Sequence, residues 1–240
     1  MSLTTSEHES TDGGEHHHEY LPAVEGAENP GGEHESAGER DKKERLMIWL
    51  FIGGDLVILI LEVFAWFYLR TLDSNGMWNA AKCTASANCV DGLGNPLIGP
   101  VAKASIWHPM IIMSLAIISA LFVWAAESAS RRKAAKSAVS GPALAALVFM
   151  IAAIVVQILQ FQVLPFTTVD GGYASVYEFF MGSTLAHLLL MGFILTGLWT
   201  RAAKGRYQGG TFHRVRIMRM FGVWIAISTS VLAIVGGFFV

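Results

Sequence analysis

Five stretches of this chain are too long and too evenly apolar to fold as anything but helices crossing a lipid bilayer. They run at about 46–71, 104–127, 142–166, 174–200 and 215–239. A hydrocarbon core of ~30 Å needs about 20 residues of helix at 1.5 Å each. Lipid offers backbone N–H and C=O groups no partner, so a span must satisfy them within a helix or a closed barrel. Barrel strands alternate apolar and polar residues over about ten positions, and these stretches neither alternate nor stop so soon. Buried helices of a water-soluble protein would show polar faces at helical spacing, and the stretches lack them. Composition agrees: 53% of residues are hydrophobic and 15% charged, against about 25% charged in a soluble domain. The expected fold is all-α, an integral membrane bundle of five transmembrane helices.

Orientation follows from the basic residues. Of 17 Lys and Arg residues, one cluster precedes the first span (Arg40, Lys42, Lys43, Arg45). A second lies between spans two and three (Arg131, Arg132, Lys133, Lys136). A third lies between spans four and five (Arg201, Lys204, Arg206, Arg214, Arg216, Arg219). Only Arg70, Lys82 and Lys103 fall on the other side. Positive charge is retained on the cytoplasmic face, so the N-terminus is expected inside and Val240 outside, as an odd number of spans requires. No segment reads as a cleaved signal peptide, which leaves insertion to the helices. Cys83 and Cys89 then share an external loop of about 72–103, where an oxidising compartment suits a disulfide between them. Two unpaired thiols are the plainer alternative. With no His nearby before His108, a metal site there is not expected.

Residues 1–39 hold ten acidic residues, five histidines and no Lys or Arg. Such a segment buries too little apolar surface to offset its ordering entropy. The expected organisation is a disordered, acidic, His-containing cytoplasmic tail over 1–44 and a membrane domain over 45–240. Glu15-His16-His17-His18-Glu19 is a loose metal-binding candidate, although a solvated tail with incidental histidines explains it as well. Docking of the tail to a basic partner surface is a third reading.

Ionisable residues within lipid are costly and therefore mark functional candidates. Asp55 and Glu62 lie seven residues apart on the first span, which returns them to one helical face. Two carboxylates on one apolar face repel, which favours a shared proton; one structural carboxylate bonding a neighbouring helix is the alternative. Glu178 and His187, nine apart on the fourth span, fall on nearly opposite faces, so each must look to a different neighbour. Gln157, Gln160 and Gln162 suit hydrogen bonds between helices. A heme held by His187 would want a second ligand, and His108, before Pro109, lies at a different depth. No copper-type His cluster, phosphate-cradling Gly-rich loop or Ser/His/Asp arrangement is present. Gly53-Gly54 and Gly236-Gly237 suit close helix contacts. Five spans without an internal repeat argue against a typical secondary transporter.

The first span, Trp49-Leu50-Phe51-Ile52-Gly53-Gly54-Asp55 through Phe64-Ala65-Trp66-Phe67-Tyr68-Leu69-Arg70, resembles the cytochrome c oxidase subunit III family. There a Trp-Leu-Phe opening leads to a buried carboxylate, usually Glu, and an aromatic-rich end closing on Leu-Arg; Asp55 stands at the carboxylate position. Ser175-Val176-Tyr177 leading through Gly182 to His187 is similar to the family's Ser-x-aromatic segment followed by Gly-x-His-x-x-His. His187 matches the second histidine, and Thr184 stands at the first. The last span keeps an aromatic at Trp224 but has Met218-Arg219-Met220-Phe221 where His and Asp often stand. Glu62 and Glu178 match no family position.

The resemblance implies a five-helix subunit III-like protein without its own active site. It implies no cofactor on this chain, with heme and copper carried by a partner catalytic subunit among other oxidase subunits. It further implies phospholipid in a cleft between helices, a bacterial-type inner membrane location and support for dioxygen reduction coupled to proton translocation. Asp55 and His187 inherit structural or proton-linked positions, not catalytic ones. Membrane lipids are expected partners and nucleic acid is not. Three other readings stand beside it. One is an accessory subunit of a nitric oxide reductase. Another is a subunit of a copper membrane monooxygenase using Glu178, His187 and Asp55 or Glu62. The last is a small proton-linked transporter using Asp55 and Glu62.

Overall fold

The computed structural model describes residues 37–72, 78, 103–132, 134–168, 172–207 and 212–239. The tail up to residue 36 lies outside them, as do Cys83 and Cys89 with their expected disulfide. The described residues form five helices and no strand: α1 (Ala37–Thr71), α2 (Trp107–Arg131), α3 (Lys136–Gln162), α4 (Gly172–Ala203) and α5 (Phe212–Phe238). Each contains a stretch long and apolar enough to span a membrane, between 25 and 32 residues.

The helices keep the five expected spans but shift their ends. α1 starts at Ala37, inside the segment assigned to the tail, and at 35 residues is about 52 Å long at 1.5 Å per residue. Its extra turns carry Glu39 near the N-terminus, where a negative charge favours the helix dipole. α3 starts at Lys136 rather than 142, which puts Pro142 inside the helix, where it leaves one backbone carbonyl without its N–H. α4 ends in a turn where Gly205 takes φ 72°, a left-handed conformation that glycine adopts without Cβ strain. Its N–H bonds the Ala202 carbonyl at 2.9 Å, closing the helix end.

The backbones of α2, α3, α4 and α5 make a closed ring, α2 against α3, α3 against α4, α4 against α5 and α5 against α2. Lipid tails are as apolar as leucine, so packing and interhelical hydrogen bonds hold such a ring rather than exclusion of water. Ala116 and Ala120 on α2 and Ala143, Ala146 and Ala153 on α3 are buried and let those two backbones close. The Ser119 hydroxyl crosses the contact to donate to the Ala146 carbonyl at 2.8 Å. α1 joins differently: among the described residues, none of its Cα atoms comes within 8 Å of another helix. Large side chains bridge the gap. Phe51 meets Phe221 edge-on at 5.3 Å. Trp66, fully buried, packs among Trp78, Tyr173 and Phe180 at 4.9, 5.6 and 5.1 Å and donates to the Phe239 carbonyl at 3.3 Å.

The glycine pairs divide accordingly. At Gly53 and Gly54 an added Cβ would meet nothing within 4 Å, contrary to the expected close contact, because both lie on the exposed face of α1 while Ile52, Leu59 and Trp66 turn inward. At Gly237 it would come 3.0 Å from Ile106, and at Gly236 3.4 Å from Tyr177, so this pair does admit close neighbours.

Contacts between helix ends show how the bundle is ordered. Arg219 reaches Glu127, Ser130 bonds the Tyr207 carbonyl and His213 lies 3.7 Å from Glu44, all at one end. Trp66, Phe239, Tyr173 and Ala104 gather at the other. The described members of the three basic clusters therefore share one end of the molecule.

Candidate functional site

Halfway along α4, His187 faces α1 and α5. Its Nε2 lies 2.8 Å from Asp55 Oδ1, and Trp224 Nε1 donates to Asp55 Oδ2 at 2.5 Å. The other ring nitrogen, Nδ1, is 2.8 Å from the Ser183 carbonyl. A carbonyl only accepts, so Nδ1 carries a proton. One further proton then lies between Nε2 and Asp55. Whether it resides on the ring or the carboxyl, the pair is neutral overall; without it, a nitrogen lone pair would face a carboxylate. Side-chain exposure of 17% for His187 and 10% for Asp55 places this proton well inside the protein.

Glu62 lies two turns further along the same face of α1 and is 3% exposed. The carboxyl lies among Ser183, His187 and Asp55, and its Oε1 has no hydrogen-bond partner. Each Asp55 oxygen is engaged, one by His187 and one by Trp224, while Glu62 stands close enough for the two carboxyls to interact through their charges. Glu178 looks elsewhere, its carboxyl accepting from the Thr168 hydroxyl at 2.6 Å near the aromatic end. His187 and Glu178 thus do turn to different neighbours, and the two do not converge on a common site. His108 begins α2 at that end, away from the middle of α4.

Two further polar clusters emerge, one that sequence reasoning did not single out and one built on the glutamines it did. Glu127, 1% exposed, takes Arg131 at 2.5 Å, Arg219 at 2.8 Å and Arg216 at 4.0 Å. The four-residue spacing of Glu127 and Arg131 was a readable signal. The approach of α5 was not, since it depends on the ring closing. At the opposite end Gln157 donates to Gln160 at 3.4 Å, and Gln160 donates to the Tyr177 hydroxyl at 2.9 Å. Gln162 is exposed and outside this chain of bonds. Among the described residues, no three His, Cys, Asp or Glu side chains stand close enough to hold a metal ion together.

The arrangement can therefore hold one proton in an Asp–His pair at mid-bundle, beside a buried carboxyl that meets Ser183 and His187. That carboxyl and pair tie α1 to α4 and α5. No protein-family model matches this chain, and no curated protein matches it either.

Proposed function

We propose that this chain is a non-catalytic accessory subunit, similar to subunit III, of a heme-copper terminal oxidase complex in a bacterial-type inner membrane. The observation that carries the reading is the meeting of Asp55, His187 and Trp224. Asp55 and His187 are the two positions that inherit a family place, Trp224 is the aromatic kept in the last span, and the three form one hydrogen-bonded unit drawn from three different spans. In this reading the unit fixes α1 against the ring and holds a proton, while heme, copper and electron transfer belong to the partner subunit. The basic end faces the cytoplasm. Large apolar side chains along α1, among them Trp49, Leu50, Val57, Leu61 and Phe64, are exposed and are available to lipid or to the partner.

Purification of the complex in mild detergent through a tag on this chain tests the proposal. A reduced-minus-oxidised heme spectrum belonging to a copurifying subunit is the expected result. A heme spectrum from this chain alone would overturn it. A copurifying subunit that reduces nitric oxide rather than dioxygen would move the assignment to the related reductase.

One observation favours a second reading, proton-linked transport: the buried Glu62 carboxyl with an unpartnered oxygen beside the Asp55–His187 pair. Proton-driven solute uptake by the chain alone in liposomes, lost on Glu62→Gln, would establish it.

A further inference from the structure

Where α2, α3, α4 and α5 come together lies a cavity of about 30 Å³ lined by Pro109, Gln157, Tyr177, Met181, Thr184 and Thr229 among others. This volume is roughly twice the 10–15 Å³ that one water needs, and a water also needs two to four polar partners. The walls supply them. Thr229 is 2% exposed, and its hydroxyl has no hydrogen-bond partner. Its neighbours on α5 show that this is unusual. Ser228 bonds the Ile225 carbonyl at 3.1 Å and Ser230 bonds the Ala226 carbonyl at 2.6 Å, each satisfied by its own helix. Thr229 makes no such bond, although a buried hydroxyl left unpaired costs about 1–3 kcal/mol.

The opposite wall complements it. The Tyr177 hydroxyl accepts from Gln160, which leaves its own proton to donate. Gln157 reaches Gln160 only at 3.4 Å, near the limit for a hydrogen bond. A donor, a weakly engaged amide and an orphaned hydroxyl thus surround a space that a water fits.

We propose that this cavity is a binding site for water, holding one or two molecules hydrogen-bonded to Thr229, Tyr177 and Gln157. The water links Thr229 on α5 to the Gln160–Tyr177 wall of α3 and α4, which the Thr229 hydroxyl does not reach directly. The site is separate from the Asp55–His187 pair and independent of any oxidase partner.

Met181 supplies the test, because hydroxyl radicals produced by X-rays from a bound water oxidise adjacent methionines despite burial. The full chain in lipid nanodiscs, in water enriched in oxygen-18, is irradiated and digested for mass spectrometry. Met150 and Met191, 2% and 0% exposed in the apolar core, are internal controls beside Met181 at 4%. Met181 oxidation several-fold faster than both controls is expected. Equal rates in the unaltered chain would overturn the proposal. With Thr229→Val, Met181 oxidation should drop to the control rate while Met150 and Met191 stay unchanged, and Thr229→Ser should restore it. Undiminished labelling of Met181 in Thr229→Val, with the controls unchanged, would overturn the anchoring role of Thr229.

Discussion

Tyr207 shows how one residue reports on the end of a bundle. It follows α4, is 3% exposed, and its hydroxyl lies beside Arg201. Burial raises the pKa of its phenol above the ordinary value, with Arg201 and Arg214 pulling the other way. A group whose folded pKa exceeds its unfolded one contributes its full stabilisation below the unfolded value. It loses that stabilisation as pH rises through the folded value. Above pH ~10 the native chain should therefore lose thermal stability faster than Tyr207→Phe, by up to about 1.4 kcal/mol per pH unit until the folded value is passed. Melting temperatures of the two proteins in detergent, measured from neutral to alkaline pH, check this; parallel curves would refute it. At the same scale, the functional candidates were half legible. Asp55, Glu62 and His187 could be named because ionisable groups are conspicuous in apolar spans. Which carboxyl meets the imidazole could not be read, since the partners lie 132 residues apart and the choice depends on how α1 is placed against α4.

At the scale of elements, α1 is the helix held most lightly. Among the described residues its backbone stays beyond 8 Å from the other helices, so side-chain contacts, above all the aromatic pairs and the bonds of Asp55, do the joining. Interhelical hydrogen bonds in membranes contribute about 0.6 kcal/mol on average and up to ~1.7, and an aromatic pair about 0.5–1.5 beyond its buried area. No single contact of this size decides whether the protein folds, but together they decide where α1 sits. Asp55→Ala removes two of them and leaves the Trp224 N–H and the His187 ring without their partner. The expected outcome is a loosened α1 beside an intact ring. Spin labels at the exposed positions Val57 and Ile227 should show a broader distance distribution in Asp55→Ala. Labels at Leu121 and Val148, on α2 and α3, should not change. An unaltered Val57–Ile227 distribution would mean that the aromatic contacts alone hold α1. The existence of all five helices was legible because 20 unbroken apolar residues admit no other backbone solution in lipid. Their ends were not, because a helix leaving the bilayer is stopped by local contacts such as the Gly205 turn and not by hydropathy.

For the molecule as a whole, the ion-pair cluster that gathers most charge among the described residues is Glu127 beneath three arginines. The carboxylate is buried while Arg131, Arg216 and Arg219 are 43%, 34% and 28% exposed. Removing one partner of a buried pair costs about 3–5 kcal/mol. The partial exposure of the arginines, which water can still solvate, puts Glu127→Ala at about 3 kcal/mol, the low end of that range. Unfolding in mixed detergent should show this loss, with a smaller one for Arg219→Gln. A loss below about 1 kcal/mol would place the cluster with ordinary surface ion pairs. The amino-acid sequence by itself determined the solvent this protein lives in, the five long apolar helices among the described residues and the gathering of positive charge at one end of the bundle. Those properties follow from composition and length along single segments. Tertiary structure alone decided that Asp55 pairs with His187 and Trp224 and that Gly53-Gly54 faces open space. It also decided that Glu127 collects arginines from α5, and that Gln157, Tyr177 and Thr229 enclose a polar cavity. Each of these depends on the rotation and distance of one helix relative to another. In lipid, that geometry is set by side-chain shape and a few polar contacts rather than by hydrophobicity, and hydropathy therefore does not record it.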